Sequence, residues 1–407
     1  MRAAFALIRQ PWFRIVAILW VAQVVSELAF SFALPFIPLY LSDLGVTDPV
    51  AVGLWAGAMA GAFAFVQAAM APIWGAVADR FGRRLMILRA LFGACVVIGA
   101  MGLVANVEQL LVLRVLQGTV TGVVAAASVV VSLTVPRAYL ATTLGFMHAA
   151  MFAGSSLGPL VGGAFADALG YRLAFAATGG LFLVAGLLVL FFVPEPPRAE
   201  VPTRGAASEA GERVAVSRGT IVGLVSLAGI TRLASMAPAP VLPLYIEAMV
   251  PPGAPVATIT GAILAATGVA SILSALAIGP LMARLGRTAT LFGALLVAAI
   301  VTPFQAIAPG VLALGALRFI LGLALGGLMP AAQAVLTDLT PESRRGVIFG
   351  WQATASALGN GAGPVAGGVV AALAGVPALF VFTAPVYAFG IVALRGLRRG
   401  RGSNTRA

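Results

Sequence analysis

Long apolar stretches alternate with short polar ones along almost the whole chain. Twelve apolar stretches stand out. They lie near residues 15–41, 51–77, 85–105, 109–134, 142–166 and 173–193, then near 220–246, 256–282, 288–308, 311–336, 346–373 and 376–394. Each has about the 20 residues that an α-helix needs to cross the hydrocarbon core of a bilayer. Helices suit that setting because they satisfy their own backbone polar groups. The pattern therefore predicts an all-α membrane protein with twelve transmembrane helices. The first stretch is long, with no small-residue cleavage site behind a short core, so it reads as a retained helix rather than a removed signal.

One polar stretch exceeds the others. Residues 195–219 are rich in Pro, Glu, Arg, Ala and Ser without an apolar period, the composition of a flexible cytoplasmic linker. It separates a six-span half (1–194) from a second six-span half with a basic tail (220–407). The halves repeat one another. Pro35, Pro38, Leu39 and Tyr40 return as Pro240, Pro243, Leu244 and Tyr245, and Gly75, Arg80, Gly82 and Arg83 as Gly279, Arg284, Gly286 and Arg287. Arg114 and Gly118 return as Arg318 and Gly322. Gly154, Gly158, Pro159, Gly162 and Gly163 return as Gly359, Gly363, Pro364, Gly367 and Gly368. A near-constant offset of 204 or 205 residues makes the halves parallel repeats: two six-helix bundles related by a pseudo-twofold axis along the membrane normal. That is an alternating-access architecture, with its site near the midplane.

Composition agrees. Hydrophobic residues make up 61% of the chain and charged residues 9%, against about 25% charged in soluble domains. Disorder and a disulfide scaffold are excluded, the first by hydropathy and the second by the single Cys95. The net charge of +12 suggests nucleic acid until its placement is examined. All 25 basic residues are arginine, and 21 fall before span one, after spans two, four, eight and ten, in the linker, or in the tail. The opposite loops hold Arg172 with Asp43, Asp48, Glu108, Asp167 and Glu247. The positive-inside rule then places both termini and the linker in the cytoplasm, with the chain multi-pass in the cell (inner) membrane. Nucleic acid is not an expected partner; the bilayer is.

Three motifs carry a family resemblance. The loop after span two holds Gly75, Ala78, Asp79, Arg80, Gly82, Arg83 and Arg84; span four holds Arg114, Gln117 and Gly118; span five holds Gly154, Gly158, Pro159, Gly162 and Gly163. Together they resemble the major facilitator superfamily over nearly the whole chain, within it the twelve-span drug/proton antiporters. The run Leu34 to Leu41, the stretch Gly82 to Arg89 and the segment around Arg114 look closest to the MdtG-type bacterial multidrug exporters. The resemblance implies the major facilitator fold and proton-coupled efflux of diverse amphipathic compounds. It also implies a conformational latch in Gly75, Asp79, Arg80, Gly82, Arg83 and Arg84, and a part for Arg114 in proton handling. Two positions depart from the pattern: Ala283 stands where a second-half aspartate would, and span four has no acidic residue to pair with the loop arginines. The latch is expected on one side only. In span five, glycines four residues apart clear one helical stripe for close packing, and Pro159 permits a bend.

Ionisable groups at membrane depth are costly, about 2.5 to 3.5 kcal/mol each on insertion scales, and so mark function. Glu27 lies midway through span one, Arg114 in span four, His148 early in span five, Arg232 in span seven and Arg318 in span ten. Glu27 and Arg232 occupy the same repeat position. Glu27 is the expected proton carrier, giving up its proton as a cationic substrate binds, with Arg114 and Arg232 as partners in coupling. A structural ion pair of Glu27 with Arg232 or Arg114 is the competing reading. Phe30 and Phe36 on span one, Met147 and Met151 on span five and Met236 on span seven could line an adaptable apolar cavity. Trp12 reads as an interfacial anchor.

No nucleophile set, metal cluster or phosphate-binding lysine shows itself, so neither enzyme chemistry nor a cofactor is expected. The reading is a monomeric secondary transporter exchanging protons for small molecules. A facilitative or proton-coupled carrier of a single metabolite, with an organic anion among the candidates, and a non-transporting membrane receptor or scaffold remain as alternatives.

Overall fold

The computed structural model describes residues 10–195, 218–340 and 342–399. The linker interior and both chain ends, with their arginines, lie outside the described residues, as do the side chains of Asp79, Arg344 and Arg345. The described residues form helices joined by short turns, without a strand.

Four of the twelve spans are interrupted where the sequence reading had them continuous, and the interruptions obey the repeat. Span one is α1 (Pro11–Phe32), a 3-10 turn (Leu34–Phe36) and α2 (Ile37–Asp43). Pro35 and Pro38 lack the amide that a continuous helix requires. Span seven breaks likewise into α9 (Arg218–Met236) and α10 (Leu242–Glu247), across Pro238 and Pro240. Span four is α5 (Val107–Val120) and α6 (Val123–Thr134), parted at Gly122, whose φ of 133° is open only to glycine. Span ten is α13 (Val311–Leu325) and α14 (Leu328–Leu339), parted at Gly326 and Gly327.

The remaining spans are single helices. The first half contributes α3 (Pro49–Phe81), α4 (Arg83–Met101), α7 (Arg137–Leu169) and α8 (Tyr171–Phe192). The second contributes α11 (Val256–Leu285), α12 (Arg287–Gln305), α15 (Glu342–Ala374) and α16 (Val376–Arg399). Among the described residues nine segments are long and apolar enough to cross a membrane. The shorter apolar helices Val222–Met236 and Val376–Val392, with the broken pair α5/α6, complete twelve. Large apolar side chains such as Leu103, Leu276, Ile307 and Leu312 stand exposed, a surface suited to lipid rather than water.

Two compact units emerge from the packing. One comprises residues 1–45, 65–201 and 255–265; the other comprises 46–64, 202–254 and 266–407. The division thus cuts α3 and α11, whose first parts pack in the unit built on the opposite half. In the first unit, a Cβ on Gly163 of α7 would run into the carbonyl of Ala257, and one on Gly261 of α11 into that of Pro159. In the second, a Cβ on Gly57 of α3 would stand 2.6 Å from Pro364 O, and one on Gly368 of α15 2.6 Å from Gly53 O. The two pairs are the same contact made twice.

Other repeated contacts confirm the duplication at side-chain level. Tyr40 donates to Met101 O at 3.0 Å with its ring 5.1 Å from Phe175. Tyr245 donates to Gln305 O at 2.9 Å with its ring 5.2 Å from Phe380. Both tyrosines anchor the short helix after the proline break, which holds α2 and α10 in matching places.

Candidate functional site

The first unit centres on α1 against α7. Gly154, Gly158 and Gly162 face α1 so closely that a Cβ on Gly154 would lie 2.6 Å from both Glu27 Cβ and Val24 O, and one on Gly158 2.7 Å from Leu28 O. Absent side chains on α7 bring the Glu27 segment of α1 against its backbone. The glycine stripe read from the sequence is therefore a packing surface, and its partner is the helix that carries the acid. Trp20 holds the other end: its indole donates to Phe146 O at 3.0 Å and its ring stacks on Phe146 at 5.0 Å.

Glu27 is half-buried on α1. Its Oε1 accepts from Gln23 Nε2 at 3.0 Å, one helical turn earlier. Within its unit Glu27 forms no ion pair with any described residue, so the ion pair with Arg114 is not made. Gln23 escaped the sequence reading, although its i−4 spacing was the available signal. Arg114 is buried on α5, and its Nη1 donates to Gln117 Oε1 at 2.6 Å. Phe30, three residues after Glu27 on α1, and Met151, three residues before Gly154 on α7, are half-buried.

Two proposed cavity residues are placed otherwise. Phe36 is fully buried in the 3-10 turn, and Met147 is almost so on α7. Both are core side chains in this structure, Phe36 in the turn that the proline break creates and Met147 within α7. His148 is exposed. Trp12 stacks on Tyr139 at 5.5 Å.

In the second unit α9 meets α15 as α1 meets α7. A Cβ on Gly359 would lie 2.8 Å from Arg232 Cβ, the place Glu27 takes against Gly154, and one on Gly363 3.1 Å from Met236 Cβ. Arg232 and Met236 are half-buried on α9, and the Nε of Arg232 is buried without a hydrogen-bond partner. Glu27 and Arg232 are thus equivalent positions in fact as well as in numbering.

The loop after span two is a tight reversal at Gly82, with φ of 103°. An acid does hold it, but from a direction the sequence did not indicate. Glu195, after span six, accepts from the amides of Arg83 at 2.8 Å and Arg84 at 3.4 Å. Its carboxylate so occupies the N-terminus of α4, where unpaired amides favour negative charge. A Cβ on Gly82 would collide with it at 2.6 Å. The Arg84 guanidinium donates to Leu190 O. Gly75 faces open space. Arg89, which sequence grouped with the loop, lies inside α4 with its guanidinium 3.5 Å from the centre of the Trp74 ring. That stacking explains how a charge is accommodated there.

Asp167, at the end of α7, makes a second carboxylate cap. It accepts from the amides of Ala257 at 3.2 Å and Thr258 at 2.7 Å, and from the Thr258 hydroxyl at 2.6 Å, at the start of α11. Its repeat position is Ala372, so this clasp is single. Asp167→Ala should destabilise the start of α11 by about 1 kcal/mol, the usual worth of an N-cap. Amide exchange at residues 257 and 258 would quicken correspondingly; unchanged exchange would show that the cap is ornamental.

Two six-span repeats with ionisable groups at membrane depth define a class: multi-pass secondary carriers. A sequence model of the Major Facilitator Superfamily matches residues 19–252 and 224–407. The chain belongs to that superfamily, whose members are transporters rather than an enzyme class. It is 34% identical over 401 residues to multidrug resistance protein MdtG of Citrobacter koseri, covering 96% of each chain. To MdtG of Enterobacter lignolyticus it is 33% identical over 391 residues, covering 94% of this chain and 91% of that one. The resemblance to MdtG-type proteins read from the motifs is borne out. Among solved structures, a bacterial homologue of the human lysosomal transporter Spinster, inward-facing and occupied, superimposes with a TM-score of 0.76 at 16% identity. The match covers 94% of this chain and 96% of that chain, a likeness of fold.

Proposed function

We propose that this carrier exports structurally diverse amphipathic small molecules in exchange for protons, by alternating access. The observation that carries the reading is Glu27: a carboxyl midway along a membrane-spanning helix, bonded to a neutral glutamine and packed on the α7 glycine stripe. A carboxyl group without a fixed countercharge is free to release its proton and, as the carboxylate, pair with a cationic ligand. The relatives' printed name, multidrug resistance protein, supports the breadth of substrate.

In this scheme residues 1–194 and 220–407 rock against one another, joined by the cytoplasmic linker 195–219, with Glu27 carrying the proton and Arg232, at the same repeat position, taking part in the coupling. Phe30, Met151 and Met236 contribute soft walls to the cavity, and Arg114 serves proton handling. The loop Gly75, Asp79, Arg80, Gly82, Arg83 and Arg84 latches one access state. The protein works as a monomer in the inner membrane, both termini cytoplasmic.

In proteoliposomes with an imposed pH gradient, a cationic amphipathic dye should be driven against its gradient, and collapsing the pH gradient should stop it. Absence of driven flux, with the protein correctly inserted, overturns the reading. One observation favours a second reading, a carrier for an organic anion: Arg114, Arg232 and Arg318 outnumber Glu27 in the spans. Flux of organic anions and none of dyes would select it.

A further inference from the structure

Arg114 and Arg318 are equivalent residues whose surroundings have diverged. Arg114 donates to Gln117, three residues on along α5. The position equivalent to Gln117 is Leu321, so that acceptor is gone from α13. The position equivalent to Phe182 is Tyr387, so α16 has gained a hydroxyl. Arg318 is 7% exposed and Tyr387 1%. Nε and Nη2 of Arg318 and the hydroxyl of Tyr387 are all buried without a hydrogen-bond partner, and Tyr387 shares one buried cluster with Leu321, which lies three residues after Arg318 on α13. Phe380 offers its ring 5.7 Å from the guanidinium carbon, a cation–π face without a lone pair. Among the described residues no carboxylate pairs with Arg318.

A guanidinium keeps its charge in a protein, and a buried charge without a counter-charge is strongly unfavourable. The unbonded groups here are two N–H donors and an O–H that can donate. Charged donors bond most strongly to an ionised acceptor. The cluster thus lacks one thing, negative charge with free lone pairs.

We propose that Arg318 and Tyr387 form a buried site for one small monovalent anion, supplied either as a free halide or as the carboxylate group of a carried molecule. The inference does not rest on drug export. Buried apolar side chains around it, Leu321 and Phe380 among them, leave no partners for a strongly hydrated or bulky ion.

The test is the melting temperature of the purified full-length protein, titrated at constant ionic strength with sodium chloride or sodium acetate against sodium gluconate, a larger and more heavily hydrated anion. A saturable rise above the gluconate baseline is expected; chloride as the effective ion points to a halide, acetate alone to a substrate carboxylate. Arg318→Gln should abolish the rise but risks misfolding. Leu321→Gln keeps the charge and recreates the acceptor that Nη1 of Arg114 uses, so it should fold and raise the half-saturating concentration about tenfold or more. Neither anion shifting the wild-type melting temperature beyond gluconate overturns the site, and so does an undiminished response in Leu321→Gln.

Discussion

Glu27→Gln should leave a folded protein that still binds and exchanges substrate but no longer concentrates it. Glutamine keeps the size of the side chain and a partner for Gln23, so α1 and its contact with α7 persist. What disappears is the proton. One unit of pH across the membrane is worth about 1.4 kcal/mol per exchanged proton, or roughly a tenfold substrate gradient. In vesicles the wild type should approach that ratio for one proton exchanged and the variant should settle near unity, with downhill counterflow intact. Full proton-driven export by a normally expressed Glu27→Gln protein would remove Glu27 as the coupling residue.

The second large effect is structural. A methyl group on Gly162 would run into the carbonyl of Phe32, and one on Gly367 into that of Ala237. The obstacle in each case is main chain, which cannot swing aside as a flexible side chain could. Overpacking typically costs about 1 to 3 kcal/mol, and these positions belong at the upper end. The same helices supply their own controls, since Gly145 and Gly350 have nothing within 4 Å of an added Cβ. Alanine there should be harmless or stabilising by up to about 1 kcal/mol through helix propensity. Gly162→Ala and Gly367→Ala should therefore melt well below Gly145→Ala and Gly350→Ala. Equal melting temperatures would show that α1 and α9 are loosely seated.

Much of this architecture was legible beforehand. Long apolar runs of the right length can do little but span a bilayer, and a constant offset of 204 to 205 residues makes each half a check on the other. The glycine stripe was legible because spacing of four residues puts Gly154, Gly158 and Gly162 on one face. The breaks in spans four and ten were not, since one or two glycines within an apolar run leave hydropathy unchanged. Nor were the partners that come from far along the chain. Glu195 looked like the start of a polar linker, and only folding brings it 112 residues back to the amide of Arg83. Arg89 counted as a loop charge until its stacking on Trp74 was visible. Phe36 looked like cavity lining because hydropathy does not say which way a proline break will turn a ring.

The glycine contacts also divide what the two copies share from what they do not. Where backbone touches backbone, the halves agree residue for residue: Gly154 with Gly359, Gly158 with Gly363, Gly162 with Gly367. Where only side chains are at stake they part company, with Glu27 against Arg232, Gln117 against Leu321 and Phe182 against Tyr387. A twinned chassis of this kind is mechanically even but electrically lopsided. Ligand preference can then be retuned by single exchanges on one twin, without touching the surfaces on which the helices bear.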